Sequence, residues 1–232
     1  GSDGIYITPR CVGEDGWELS IKALIDNADC SHKARFTLID ADGNEKASTI
    51  ADLRPIISAK LPVEDPVLWN GRKNPYLYTV KCEIFDSTTQ EVTDNIDIRT
   101  GLREYHIDSH KGFFLNGEHI KLQGVSRHQD RENMGNAITE KQHAEDVKII
   151  LDVGANSVRL AHYQQNSYFY DLCDESGLLV WAEVPVISRF SPKRNENAEQ
   201  QLVELIKQNY NHPSIFCWGI ENEITIAGSA SK

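Results

Sequence analysis

The sequence predicts a β domain of about one hundred residues followed by an α/β domain with parallel strands. Three observations carry this. Apolar residues recur at every second position through the first hundred residues. After Asn116-Gly117 the period changes to short strands alternating with helices. Each strand beyond that point finishes on residues able to bind or catalyse.

In the first part, Trp17, Leu19, Ile21, Ala23 and Ile25 alternate with Glu18, Ser20 and Lys22, as a half-buried strand requires. Tyr76, Tyr78, Val80, Cys82 and Ile84 repeat the pattern. Between them lie Ala34, Phe36 and Leu38, then Asp42-Gly43, a tight-turn pair. Short strands punctuated by turns over this length predict an antiparallel sandwich.

The second part opens with a strand expected over Ile120–Val125. A helix follows from Thr139, with Gln142 at capping-box spacing, Val147, Ile150 and Leu151 on one face, and Gly154 as the stop. Then come a strand at Asn156–Leu160, a helix from about Ser167 to Glu175 that stops at Gly177, and a strand at Leu178–Ala182. A helix from about Asn197 to Tyr210 precedes the near-continuous apolar strand Ser214–Ile220, of the kind buried on both faces of a parallel sheet. This order demands right-handed crossovers, and both a doubly wound sheet and a (β/α)8 barrel begin this way. The absence of GxGxxG after the first strand weakens the dinucleotide-binding version.

The polar strand ends favour the barrel, whose active sites sit at the carboxyl ends of its strands. The first strand runs into Ser126-Arg127-His128-Gln129-Asp130, the second into Arg159 and His162-Tyr163, the third into Glu183, and the fourth into Glu221-Asn222-Glu223. Each has a plainer reading. His128 and His162 fit as loop histidines, Arg127 and Arg159 as structural ion-pair partners, and Glu183 as a cap or a partner of Arg159 or Arg189. Trp218 fits barrel core better than a sugar platform. Glycosidic cleavage would nonetheless use such a set. A carboxylic acid protonates the leaving oxygen, and in the retaining version a second carboxylate stands about 5 Å away. Glu223, ending an apolar strand among acidic neighbours, is the candidate acid, and Asn222 can hydrogen-bond a sugar hydroxyl.

Composition narrows the alternatives. The chain of 232 residues is 40% apolar and 25% charged, without a run long enough to cross a bilayer. A net charge of -11 argues against a nucleic-acid partner. Five scattered cysteines without CxxC spacing read as unpaired and structural. Gly1-Ser2 reads as a cloning remnant, which leaves the compartment open between bacterial cytoplasm and periplasm.

Taken together, Asn211-His212-Pro213-Ser214-Ile215 with Trp218-Gly219-Ile220-Glu221-Asn222-Glu223 resembles the acid/base signature of glycoside hydrolase family 2. Phe114–Glu118, Gly124–His128, Ser157–Tyr163 and Leu172–Leu178 are similar to further motifs of that family. Leu68-Trp69-Asn70 and Asn74–Tyr78 resemble its immunoglobulin-like domain. Ser126–Asp130 and Trp181–Pro185 look most like the bacterial β-galactosidases. The resemblance implies an immunoglobulin-like sandwich over residues 1–103 and the first four β/α units of a TIM barrel over 104–232. It implies hydrolysis of terminal β-D-galactosides with Glu223 as acid/base. Asn222 would contact the sugar 2-hydroxyl, His128 and His162 would line the galactosyl subsite, and Glu183 is counted with the substrate-binding residues.

No cofactor is expected, nor a membrane partner, and the resemblance leaves room for an oligomer in the whole enzyme. Ile187 and Arg189 stand where some relatives hold magnesium through glutamate and histidine, so no metal is expected there. Glu221 stands where glycine or serine is common in the family. The family's nucleophile follows the seventh barrel strand, so the expectation is a fragment without turnover of its own. β-Glucuronidase or β-mannosidase, or a non-catalytic carbohydrate-binding or scaffold module, are the alternatives.

Overall fold

The computed structural model describes residues 2, 4–13, 16–188 and 195–224. Contacts divide the chain into two compact units. The first contains the residues up to Asn70, Asn74–His119 and Tyr210–Pro213; the second contains Gly71–Lys73, Ile120–Asn209 and the residues from Ser214 onward.

The first unit is an immunoglobulin-like antiparallel sandwich. Strands β1 (Ile5–Cys11), β2 (Gly16–Leu24), β3 (His32–Ile39), β4 (Glu45–Asp52) and β5 (Ile56–Glu64) are followed by the two-residue β6 (Trp69–Asn70) and β7 (Asn74–Pro75). The long strands β8 (Tyr78–Asp86) and β9 (Val92–Thr100) come next. One sheet has the order β1-β2-β5 and the other β4-β3-β8-β9. The alternation seen in the sequence is the cause: Trp17, Leu19, Ile21 and Ala23 of β2 point into the same core as Ala34, Phe36 and Leu38 of β3 and Tyr78, Val80 and Cys82 of β8. The period slips once, where a bulge between Ile84 and Phe85 buries Phe85 instead of Ile84. After the sandwich, β10 (Tyr105–Asp108), β11 (Gly112–Leu115) and β12 (Glu118–Ile120) form a small meander.

The open edge of β1 is closed by a side chain. Asn211 accepts from the Ile7 amide through Oδ1 at 2.9 Å and donates from Nδ2 to the Ile5 carbonyl at 2.8 Å. Beside it, Tyr210 packs edge-on against Tyr6 at 5.3 Å, and its hydroxyl meets that of Thr8 at 2.8 Å. Tyr210–Pro213 therefore completes the sandwich although it lies deep in the α/β half of the sequence.

The second unit is a four-stranded parallel sheet in the order β13 (Gly124–Arg127), β14 (Ser157–Leu160), β15 (Leu179–Glu183) and β16 (Ile215–Gly219). Helices α1 (Glu140–Asp152), α2 (Ser167–Ser176) and α3 (Asn195–Gln208) occupy the three crossovers. Neighbours in the sheet are neighbours in sequence, which is the beginning of a (β/α)8 barrel and not of a doubly wound sheet. Val158, Leu160, Val180, Ala182 and Ile215 pack on Val147, Ile150, Phe169, Tyr170, Cys173 and Leu205 of the helices.

The caps follow the sequence. Gln142 Oε1 accepts the Thr139 amide at 2.8 Å, Asn166 Oδ1 accepts the Tyr168 amide at 2.9 Å, and Gly177 ends α2 at φ +72°. No helix among the described residues is long and apolar enough to cross a membrane.

Two expectations shift. The strand expected over Ile120–Val125 is broken between β12 and β13. The Asn156 side chain occupies the break, donating to the Lys121 carbonyl at 2.9 Å and accepting the Gln123 amide at 2.8 Å. The third helix begins and ends two residues early, and at its end the Asn209 side chain folds back to donate to the Leu205 carbonyl at 2.9 Å. All five cysteines are free. Burial raises the thiols of Cys173, Cys217 and Cys82, the last to about 12, as expected of inert core residues.

Candidate active site

Alternation along the parallel strands decides which side chains reach the site. In β15, Val180 and Ala182 face the helices, so Trp181 and Glu183 face the other way, as Arg159 does on neighbouring β14. Gly219 lies opposite Glu183 on β16. A methyl group there would come within 2.3 Å of Trp181 Nε1 and 2.6 Å of Glu183 Cγ, so the missing side chain is the seat in which Trp181 and Glu183 rest.

Glu183 is the hub of the cluster that results. Its side chain is 1% exposed, and both oxygens are engaged. Arg159 Nε donates to Oε1, and His162 Nδ1 lies 2.7 Å from Oε2. A second arginine nitrogen, Nη2, donates to Asn222 Oδ1 at 2.7 Å. A buried carboxylate is tolerated when a cation and hydrogen bonds accompany it, and Arg159 and His162 supply both. His162 follows a cis peptide bond and sets its ring edge-on to that of His128, centroids 5.4 Å apart. His128 also lies 6.2 Å from the ring of Tyr163, whose hydroxyl accepts the Gln129 amide at 2.9 Å.

The fourth strand end is held through its backbone. The Asn222 amide donates to Val186 at 2.8 Å, and the Asn222 carbonyl accepts from Ser188 at 2.9 Å. This pairing ties the segment after β16 to the segment after β15 and fixes the direction of the Asn222 side chain. Glu223 follows in the left-handed region at φ +56°, a conformation that a non-glycine residue adopts only under local constraint. Its side chain is exposed, as is that of Glu221.

The structure thus joins His128, His162, Glu183 and Asn222 in one contiguous cluster and places Glu223 at its edge in sequence. Arg127 does not join it. It turns back beneath the sheet, donating to Asp146 at 2.7 Å and to Gln165, meeting His143 Nδ1 at 2.9 Å, and lying 3.9 Å from the ring of Phe169. Trp218 packs against the core, as the sequence favoured. Of the two positions considered for magnesium, Ile187 bridges Asn222 through its backbone and has no ligating side-chain atom, while Arg189 lies outside the described residues.

Sequence reasoning left Arg159 as a structural ion-pair partner. It is the clamp between Glu183 and Asn222, and the signal for it was its place at a strand end beside the other three.

Comparison with known proteins agrees with this fold. The model for the glycosyl hydrolases family 2 TIM barrel domain matches residues 107–232, and that for glycosyl hydrolases family 2 matches residues 3–103. A β-glucuronidase of Bacteroides fragilis is 38% identical over 98% of this chain and 35% of its own length. A β-galactosidase of Thermoanaerobacter pseudethanolicus is 32% identical over 88% of this chain and 28% of its own. Among solved structures, the FMN-binding β-glucuronidase from Facaelibacterium prausnitzii L2-6 superposes with a TM-score of 0.93. It is 42% identical, and the match covers 99% of this chain and 35% of that one. The chain spans 27–35% of the length of the first curated relatives it matches. With both family models matched in order and the parallel sheet carrying its polar cluster at the strand ends, the chain belongs to glycosyl hydrolase family 2.

Proposed function

We propose that this chain carries the acid/base side of a retaining glycosidase site acting on terminal β-D-glycosides. Glu223 is the acid that protonates the leaving oxygen, Asn222 contacts the sugar 2-hydroxyl, and His128 and His162 line the subsite of the terminal sugar. The observation that carries this reading is the Arg159–Glu183–His162–Asn222 network at the carboxyl ends of parallel strands, immediately before Glu223. No nucleophile is assigned among the described residues.

For the sugar we take a β-D-glucuronide, because the B. fragilis and F. prausnitzii relatives, which match nearly the whole chain, carry that activity in their names. A β-D-galactoside is the second reading, supported by the Thermoanaerobacter relative and by the motifs Ser126–Asp130 and Trp181–Pro185.

The test compares kcat/KM for aryl β-glucuronide and aryl β-galactoside on the full-length enzyme that contains this chain, with Glu223→Gln alongside. We expect the glucuronide to be preferred and Glu223→Gln to lower kcat/KM roughly 100- to 10,000-fold. A preference for the galactoside moves the reading to that sugar. Unchanged hydrolysis in Glu223→Gln removes Glu223 as the acid.

A further inference from the structure

We propose that Glu183 is a positioning residue that sets the hydrogen-bond polarity of the site: it holds His162 as the Nδ1–H tautomer and, through Arg159, holds Asn222 with its Nδ2 toward the sugar. The proposal rests on the glycosidase reading above and deepens it, because it says what kind of sugar group each side chain can read.

The argument begins with donors and acceptors. A carboxylate oxygen can only accept, so the 2.7 Å contact between Glu183 Oε2 and His162 Nδ1 places a proton on Nδ1. Arg159 Nη2 also lies 3.4 Å from that nitrogen, but Nδ1 cannot donate to one group and accept from another. The shorter contact, to the buried and acceptor-only partner, decides which. In the neutral ring, the proton on Nδ1 leaves Nε2 bare, an acceptor.

Arginine can only donate, so the Asn222 atom 2.7 Å from Arg159 is the oxygen, and its Nδ2 faces away from the arginine. Glu183 holds Arg159 through Nε and so fixes the direction in which the guanidinium presents Nη2. One buried carboxylate, 1% exposed and not itself open to a substrate, therefore orients two groups that are.

The specificity consequence is definite. His162 Nε2 takes a hydrogen bond from a sugar hydroxyl, and it disfavours a group without a proton to give, such as a carboxylate or a methyl ether. Asn222 Nδ2 donates, so it takes any oxygen acceptor.

The experiment reads the tautomer directly. In the chain labelled with 15N-histidine, two-bond 1H–15N correlations show which ring nitrogen of His162 is protonated, with its signals assigned by their loss in His162→Asn. Wild type should show Nδ1–H. In Glu183→Gln the new amide must turn its oxygen to the donor-only Arg159, so its NH2 faces His162 and the ring should switch to Nε2–H. The signals of buried His143 should stay in place and report an intact fold.

Kinetically, Glu183→Gln should lower kcat/KM roughly 10- to 100-fold, as loss of an orienting partner does elsewhere. An Nε2–H tautomer or a ring protonated on both nitrogens in wild type overturns the proposal without any variant. So does Nδ1–H persisting in folded Glu183→Gln. Hydrolysis of the aryl glycosides with the wrong tautomer sinks the positioning role alone. The right tautomer without hydrolysis by the full-length enzyme sinks the glycosidase reading and leaves the positioning role standing.

Discussion

An asparagine side chain carries a carbonyl and an N–H at nearly the spacing of a peptide group, and this chain uses that at two places where a backbone edge would otherwise be open. Asn211 pairs with Ile5 and Ile7, and Asn156 pairs with Lys121 and Gln123, each taking the carbonyl of one residue and the amide two positions later. The Asn211 pair is buried, so truncation leaves two main-chain groups without partners. Asn211→Ala should cost about 2 kcal/mol, seen as a lower urea midpoint with an unchanged slope; an unmoved midpoint would mean that water replaces the side chain. His143 makes a second prediction at this scale. Burial, and then the nearby Arg127 guanidinium, hold its pKa below the ordinary value of 6.5. The folded state therefore binds fewer protons than the unfolded state once the pH falls below about 6.5. This contribution to stability is whole above that pH and is lost as acidification proceeds toward the lowered folded value. Urea titrations between pH 7.5 and 5 should show a steeper acid loss in wild type than in His143→Gln, and equal slopes would contradict it.

Among the elements, β16 shows how a strand is shaped by what its neighbour must accommodate. Gly219→Ala drives a methyl group into Trp181 and Glu183, and should cost about 1–3 kcal/mol as overpacking does. Since Glu183 is displaced as well, kcat/KM should fall further than the stability loss explains, and a variant with wild-type kinetics would show that the seat is not needed. Most elements are legible in the sequence because each boundary carries a local signal: a capping box at Thr139, a cap at Asn166, a stop at Gly177. The break between β12 and β13 is not legible there. Its cause, Asn156, lies 33 residues beyond Gln123, and periodicity cannot register a partner at that distance. The same limit hides the reach of Arg159 to Asn222, although its pairing with Glu183 is among the plain readings of the sequence. His128, His162, Glu183 and Asn222 are visible as polar strand ends, but the clamp depends on which residues of β14, β15 and the segment after β16 lie side by side, and that is a property of register.

At the scale of the molecule, the order of the chain and the order of its contacts disagree at one place. The residue that closes β1 lies 204 positions after Ile7 and follows the third helix of the α/β half. During synthesis at about 5–20 residues per second, that asparagine is added about 10–40 s after Ile7. The first strand therefore waits at the ribosome with one edge bare while three β/α units are made behind it, and a bare edge is the part of a sheet most able to pair with a stranger. On crowded polysomes this hazard at β1 lasts until Asn211 is made and can take its place beside Ile5 and Ile7.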